Sequence, residues 1–97
     1  MTGDPKTSQD TRLGLADRGF SGKIIGLDGH VTGSSLSPEE LEQRLVEMGF
    51  VEGARLEMLH EGAIRRDPIA VRVDNITIAL RRSEAMAVIV ELAVTVE

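Results

Sequence analysis

The chain has no cysteine, no tryptophan and no tyrosine, and its only aromatic carbocycles are Phe20 and Phe50. Without cysteine there can be no disulfide staple, no thiolate metal site and no cysteine nucleophile. Two phenylalanines cannot build the stacking platform of a single-strand nucleic-acid binder or the aromatic groove that receives proline-rich peptides. Long apolar runs are also missing. None approaches the ~18 residues of a membrane span, and the polar N-terminus lacks the apolar centre of a secretion signal. A cytoplasmic location without direct membrane insertion is therefore expected. Positive charge is in short supply, with 11 Lys and Arg against 16 Asp and Glu for a net charge of −5. In the first 18 residues Asp4, Asp10 and Asp17 balance Lys6, Arg12 and Arg18, so the rest of the chain carries the whole excess. An acidic domain has no electrostatic footprint for nucleic acid, and no nucleic-acid partner is expected.

What remains is an ordinary globular balance, 41% hydrophobic and 28% charged over 97 residues, enough for one domain with a small core. Residues 1–12 are polar with no apolar period and read as a flexible N-terminal tail, leaving residues 13–97 as the domain. Lys23 to Leu27 is a β-rich run in which Gly26 marks a bend or bulge, and Asp28 to Leu36 is a loop by composition. Ser37-Pro38-Glu39-Glu40 is a capping box with proline at the first helical position. A helix follows, with Leu41, Leu45 and Met48 on one stripe and Glu39, Glu42, Gln43 and Glu47 on the wet side. Gly49 supplies the left-handed residue that ends it, and Phe50 is placed to touch Leu45.

Beyond the helix, alternation around Leu56 and Met58 suggests a second strand. Ile69, Val71 and Val73, then Asp74-Asn75, then Ile76, Ile78 and Leu80 spell a hairpin. A capped turn at Ser83 to Met86 and a last strand, Val88 to Val94, complete the pattern. The fold class expected is mainly β: a small, partly open barrel of about five strands, with one α-helix between the first and second.

Three separated segments resemble the ferrous iron transport protein A (FeoA) family in order and spacing: Leu45 to Gly53, Asp67-Pro68-Ile69, and Ile78 to Ala85. Gly19 to Leu27 resembles the family's opening strand, so the similarity runs from about residue 13 to residue 94. The resemblance implies an SH3-like barrel, and an accessory role in ferrous iron uptake beside the permease. It implies one partner, the cytosolic G-protein domain of that permease. It implies no enzyme activity. The chain departs from the family pattern in the longer stretch from Asp28 to Pro38, in Glu52, and in Arg66 before Asp67-Pro68.

The candidate partner-binding residues are Phe50 and the arginines Arg65, Arg66, Arg81 and Arg82, which with Arg72 are the main basic cluster. Rim arginines of this kind either steer a partner or keep strand edges from pairing. His30 and His60 lack metal-ligand spacing, and Glu39, Glu40 and Glu42 do not converge as neighbours on one helix, so no metal site and no cofactor are expected. Met48, Met58 and Met86 read as core fillers, and Asn75-Ile76-Thr77 as a turn rather than a glycosylation site. No nucleophile-and-base motif or phosphate-binding glycine loop is present. Two other readings stand beside the accessory role: a self-associating barrel adaptor, forming a weak homo-oligomer through an edge such as Val88 to Val94, and a metal-sensing module.

Overall fold

The capping signal forms the cap it predicts. In the computed structural model, which describes residues 10–92, Ser37 Oγ accepts from the Glu40 N–H at 3.2 Å and Glu40 accepts from the Ser37 N–H at 3.0 Å. This reciprocal pair opens helix α1 (Pro38–Glu47), whose Leu41 and Leu45 are buried. Gly49 closes it with φ +109°, while Phe50 N donates to Leu45 O and Gly49 N to Val46 O, the two bonds of a Schellman motif. Phe50 is turned fully inward by that geometry.

Six strands surround the helix in sequence: β1 (Asp10–Arg12), β2 (Ser21–Leu27), β3 (Arg55–Ile64), β4 (Asp67–Val73), β5 (Ile76–Leu80) and β6 (Val88–Leu92). A 3-10 turn (Leu13–Leu15) follows β1, and a second helix, α2 (Arg82–Ala85), precedes β6. The strands make one antiparallel sheet in the order β1-β6-β2-β3-β4-β5. The mainly β class is as expected, but the sheet is not closed: among the described residues β1 and β5 each pair on one side only. Register shifts bend it, one between Ile24 and Gly26 where the sequence placed a bulge, and two along the ten-residue β3.

Two expectations change. Asp10–Arg12, assigned to the tail by composition, instead pair with Glu91, Val90 and Ile89, so the strand count is six and α1 lies between the second and third strands. Three mostly polar residues carry no alternation to read; β6 supplies the pairing. Consequently β6 is not an edge, because β1 covers one side and β2 the other. Residues 1–9 of the expected tail and 93–94 of the expected last strand lie outside the described residues.

The core is lined by alternate strand positions: Ile24 on β2, Leu56 and Met58 on β3, Ile69, Val71 and Val73 on β4, Val88 and Val90 on β6. Leu41, Leu45 and Phe50 join them from the helical side, with Leu13 from the 3-10 turn. Burying side chains of this size contributes about 1.5–3 kcal/mol each before chain entropy is counted.

Candidate functional site

The arginine cluster divides into two kinds of residue once folded. Arg82, the first residue of α2, keeps only 13% of its side chain exposed. Its Nε donates to Arg66 O at 2.7 Å, its Nη1 to Gly14 O at 3.0 Å and Ala16 O at 2.8 Å, and its Nη2 lies 3.0 Å from Glu61 Oε2. Its backbone N–H donates to Asp67 Oδ1 at 2.9 Å. A planar guanidinium suits this work, since its donors diverge in one plane toward separate acceptors. Arg82 therefore ties the 3-10 turn, the β3–β4 connection and α2 together, and it has little left for a partner.

The β3–β4 connection is the two-residue turn Arg65-Arg66, with φ +57° and +59°. Left-handed conformation at both positions is the geometry that hairpins usually give to Asn-Gly. Two arginines there cost stability. The Arg82 bond to the Arg66 carbonyl holds the turn, and the Arg66 side chain leans back on Asp17 at 2.6 Å, with Glu61 3.8 Å away. Arg65 and Arg81 pair with no carboxylate among the described residues and stand exposed. Beside them Ile64 is 78% exposed, the most exposed large hydrophobic residue described. Ile64, Arg65 and Arg66 are thus consecutive exposed residues at the β3–β4 turn, and Arg81 is exposed next in sequence to Arg82, whose Nε bonds to the Arg66 carbonyl. Phe50, expected from the sequence to contact a partner, is fully buried and belongs to the core, so it has no face to offer. Nothing in the period of β3 marks Ile64 as outward, because the bulge between Glu61 and Ile64 resets the alternation.

A second cluster forms where the sequence reading expected none. Asp28, at the end of β2, His30 in the following loop and Glu42 on α1 present ligand-type atoms that all lie within 4.8 Å of one another. His30 Nδ1 is 3.0 Å from Asp28 Oδ1, and Gly29 N donates to Glu42 Oε2 at 2.7 Å. The Asp28 carboxyl is held below its ordinary value, first by the His30 backbone N–H, then by the imidazole, with Arg12 adding a smaller pull. His60, on β3, is in no such group among the described residues.

Residues 11–92 match the FeoA domain family. This chain belongs to that family. Its FeoA fold is shared by the FeoA-like protein of Clostridium acetobutylicum, at 26% identity and a TM-score of 0.70 over 92% of this chain and 93% of that one. The FeoA of Stenotrophomonas maltophilia, solved with zinc, is 27% identical, with a TM-score of 0.67 over 84% of this chain and 89% of that one. It is described as a prokaryotic SH3 domain protein and a candidate bacterial ferrous iron transport activating factor. Iron(II) transport protein A of Clostridium thermocellum is 33% identical over 84% of this chain and 45% of that one, with a TM-score of 0.68. A manganese-dependent transcriptional repressor shares the FeoA fold alone, at 20% identity over 42% of its own length. No curated protein matches the chain significantly. Among the described residues of this FeoA domain, no helix is long and apolar enough to cross a membrane.

Proposed function

We propose that this FeoA domain is a cytoplasmic accessory protein of ferrous iron uptake that modulates the ferrous iron permease by docking on its cytosolic G-protein domain. Family membership supports the iron role, and the relatives described as iron(II) transport proteins point the same way. The observation that carries the docking surface is the strained Arg65-Arg66 turn, with exposed Ile64 directly before it. Left-handed backbone at two non-glycine residues persists only where surrounding bonds impose it, and such strain concentrates at ligand-contacting positions. The chemistry offered is one exposed apolar side chain followed directly by two exposed arginines, of which Arg65 pairs with no carboxylate among the described residues, and this fits an acidic partner surface with a shallow apolar depression.

Binding kinetics on the immobilised cytosolic domain of the permease, at low and moderate salt, test this reading. Arg65→Asn with Arg66→Gly, a pair suited to the turn, should slow association and flatten its salt dependence while circular dichroism stays native. Ile64→Ser should act mainly on dissociation. Wild-type kinetics in the folded double variant would remove the turn from the interface. Absence of wild-type binding in both nucleotide states of the partner would sink the function itself.

A further inference from the structure

We propose that Asp28, His30 and Glu42 form a binding site for a divalent first-row transition-metal ion, with one imidazole and two carboxylates as ligands and the remaining positions open to water. The inference stands on the geometry of this loop and helix and does not depend on the permease reading.

The backbone is built to bring these three together. Asp28 is fixed at the end of β2, where its N–H donates to Ala87 O at 2.8 Å. One residue on, Gly29 is buried against the start of α1, and a Cβ there would collide with the carbonyl oxygen of Pro38. Only glycine lets the loop lie this close to the helix. That approach lets Gly29 N donate to Glu42 Oε2, which turns the Glu42 carboxylate toward the loop rather than toward water. His30 then folds back over Asp28, whose Oδ1 accepts from the His30 N–H at 3.1 Å and sits 3.0 Å from the imidazole Nδ1.

The Asp28–His30 spacing is that of two ligands of one ion. Metal–nitrogen and metal–oxygen bonds of about 2.0–2.2 Å set neighbouring donor atoms about 3–3.5 Å apart. The Asp28–His30 pair already meets this spacing, and the three donors, all within 4.8 Å, need only small side-chain rotations to close on an ion. The imidazole favours the transition metals over magnesium and calcium, which take oxygen. Three protein ligands on an exposed surface leave open positions, the arrangement of sites that exchange their ion rather than lock it in. Arg12 opposes binding: its Nη2 lies 3.5 Å from Asp28 Oδ2 and offsets one of the two carboxylate charges.

The test is calorimetric titration of the chelator-stripped full chain with Co²⁺ and with Zn²⁺, Mg²⁺ serving as the oxygen-ligand control. One-to-one binding is expected for both transition metals and none for Mg²⁺. His30→Ala and Glu42→Gln should each weaken it more than about 100-fold, beyond the 10–100-fold cost of losing a merely supporting partner. His60→Ala should leave it unchanged. Arg12→Gln should tighten it about three- to tenfold by removing a nearby positive charge. The His30 side chain is 75% exposed, so its loss should leave the fold intact, which circular dichroism checks. Trace Mn²⁺ should broaden the amide signals of residues 28–31 and 39–43 selectively. Unchanged affinity in His30→Ala, broadening spread over acids elsewhere, or no saturable Co²⁺ or Zn²⁺ binding below about 1 mM would each overturn the site.

Discussion

Arg82 and Glu61 meet at 3.0 Å between Nη2 and Oε2, and the same guanidinium holds the carbonyl oxygens of Gly14, Ala16 and Arg66. Glu61 in turn accepts from the Arg18 N–H at 2.9 Å. With side chains 13% and 17% exposed, the pair is shielded enough that its loss is not repaired by water. It joins three separate stretches of chain through one residue.

Arg82→Ala should therefore destabilise the domain by about 3 kcal/mol, the usual cost of stranding one half of a shielded pair. Arg82→Lys should recover only part, since an ammonium cannot reach four divergent acceptors from one plane. Urea denaturation midpoints of the two variants check the order.

At the β3–β4 turn the expected effect has the opposite sign. Arg65→Asn with Arg66→Gly places favoured residues in the left-handed pair and should raise stability by about 1 kcal/mol, even after the exposed Arg66–Asp17 ion pair is lost. A lower denaturation midpoint in this variant would show that the arginines are not strained there.

Gly49, at φ +109°, has open space around its missing Cβ, with Val73 no nearer than 4.0 Å, so the penalty for a side chain is conformational rather than steric. Gly49→Val should destabilise by ~1 kcal/mol or more. Gly49→Asn should cost less, because asparagine tolerates the left-handed region. The two denaturation curves, compared with wild type, decide it.

Removal of residues 1–12 should uncover the outer edge of β6. It should also remove the bond from Arg12 Nη1 to Met86 O at 2.9 Å. An uncovered strand edge templates pairing with another chain, so the shortened protein should melt lower and self-associate. Sedimentation at two concentrations reads this out; concentration-independent behaviour would mean that β1 does not guard the edge.

The acid limb of stability should carry the α1 cap. Glu40 is held below its ordinary value of 4.5, first by the Ser37 backbone N–H and then by the Ser37 hydroxyl. A lowered native pKa means that the unfolded state binds protons first, so the contribution is full above the ordinary value and fades as pH falls through the native one. Stability of wild type should drop more steeply below about pH 4.5 than that of Glu40→Gln, measured by denaturation from pH 6 to 3.

The sequence by itself determined whatever depends on neighbours along the chain. Ser37 to Glu40 capped α1, Gly49 ended it, Gly26 bulged β2, and the alternation from Ile69 to Leu80 made a hairpin, because caps, turns and strand periods are local. Sequence order and spacing also marked the family. Tertiary structure alone decided how residues far apart share a site. Arg81 and Arg82 are adjacent and chemically alike, yet one is exposed and the other bonds to residues up to 68 positions away. Phe50 is claimed by the core through the turn at Gly49, while Ile64 is left outside by a bulge that no period announces. His30 and Glu42 lack metal-ligand spacing in the chain; they meet because Gly29 lets the loop touch the helix start, a contact between backbones that no side-chain pattern records.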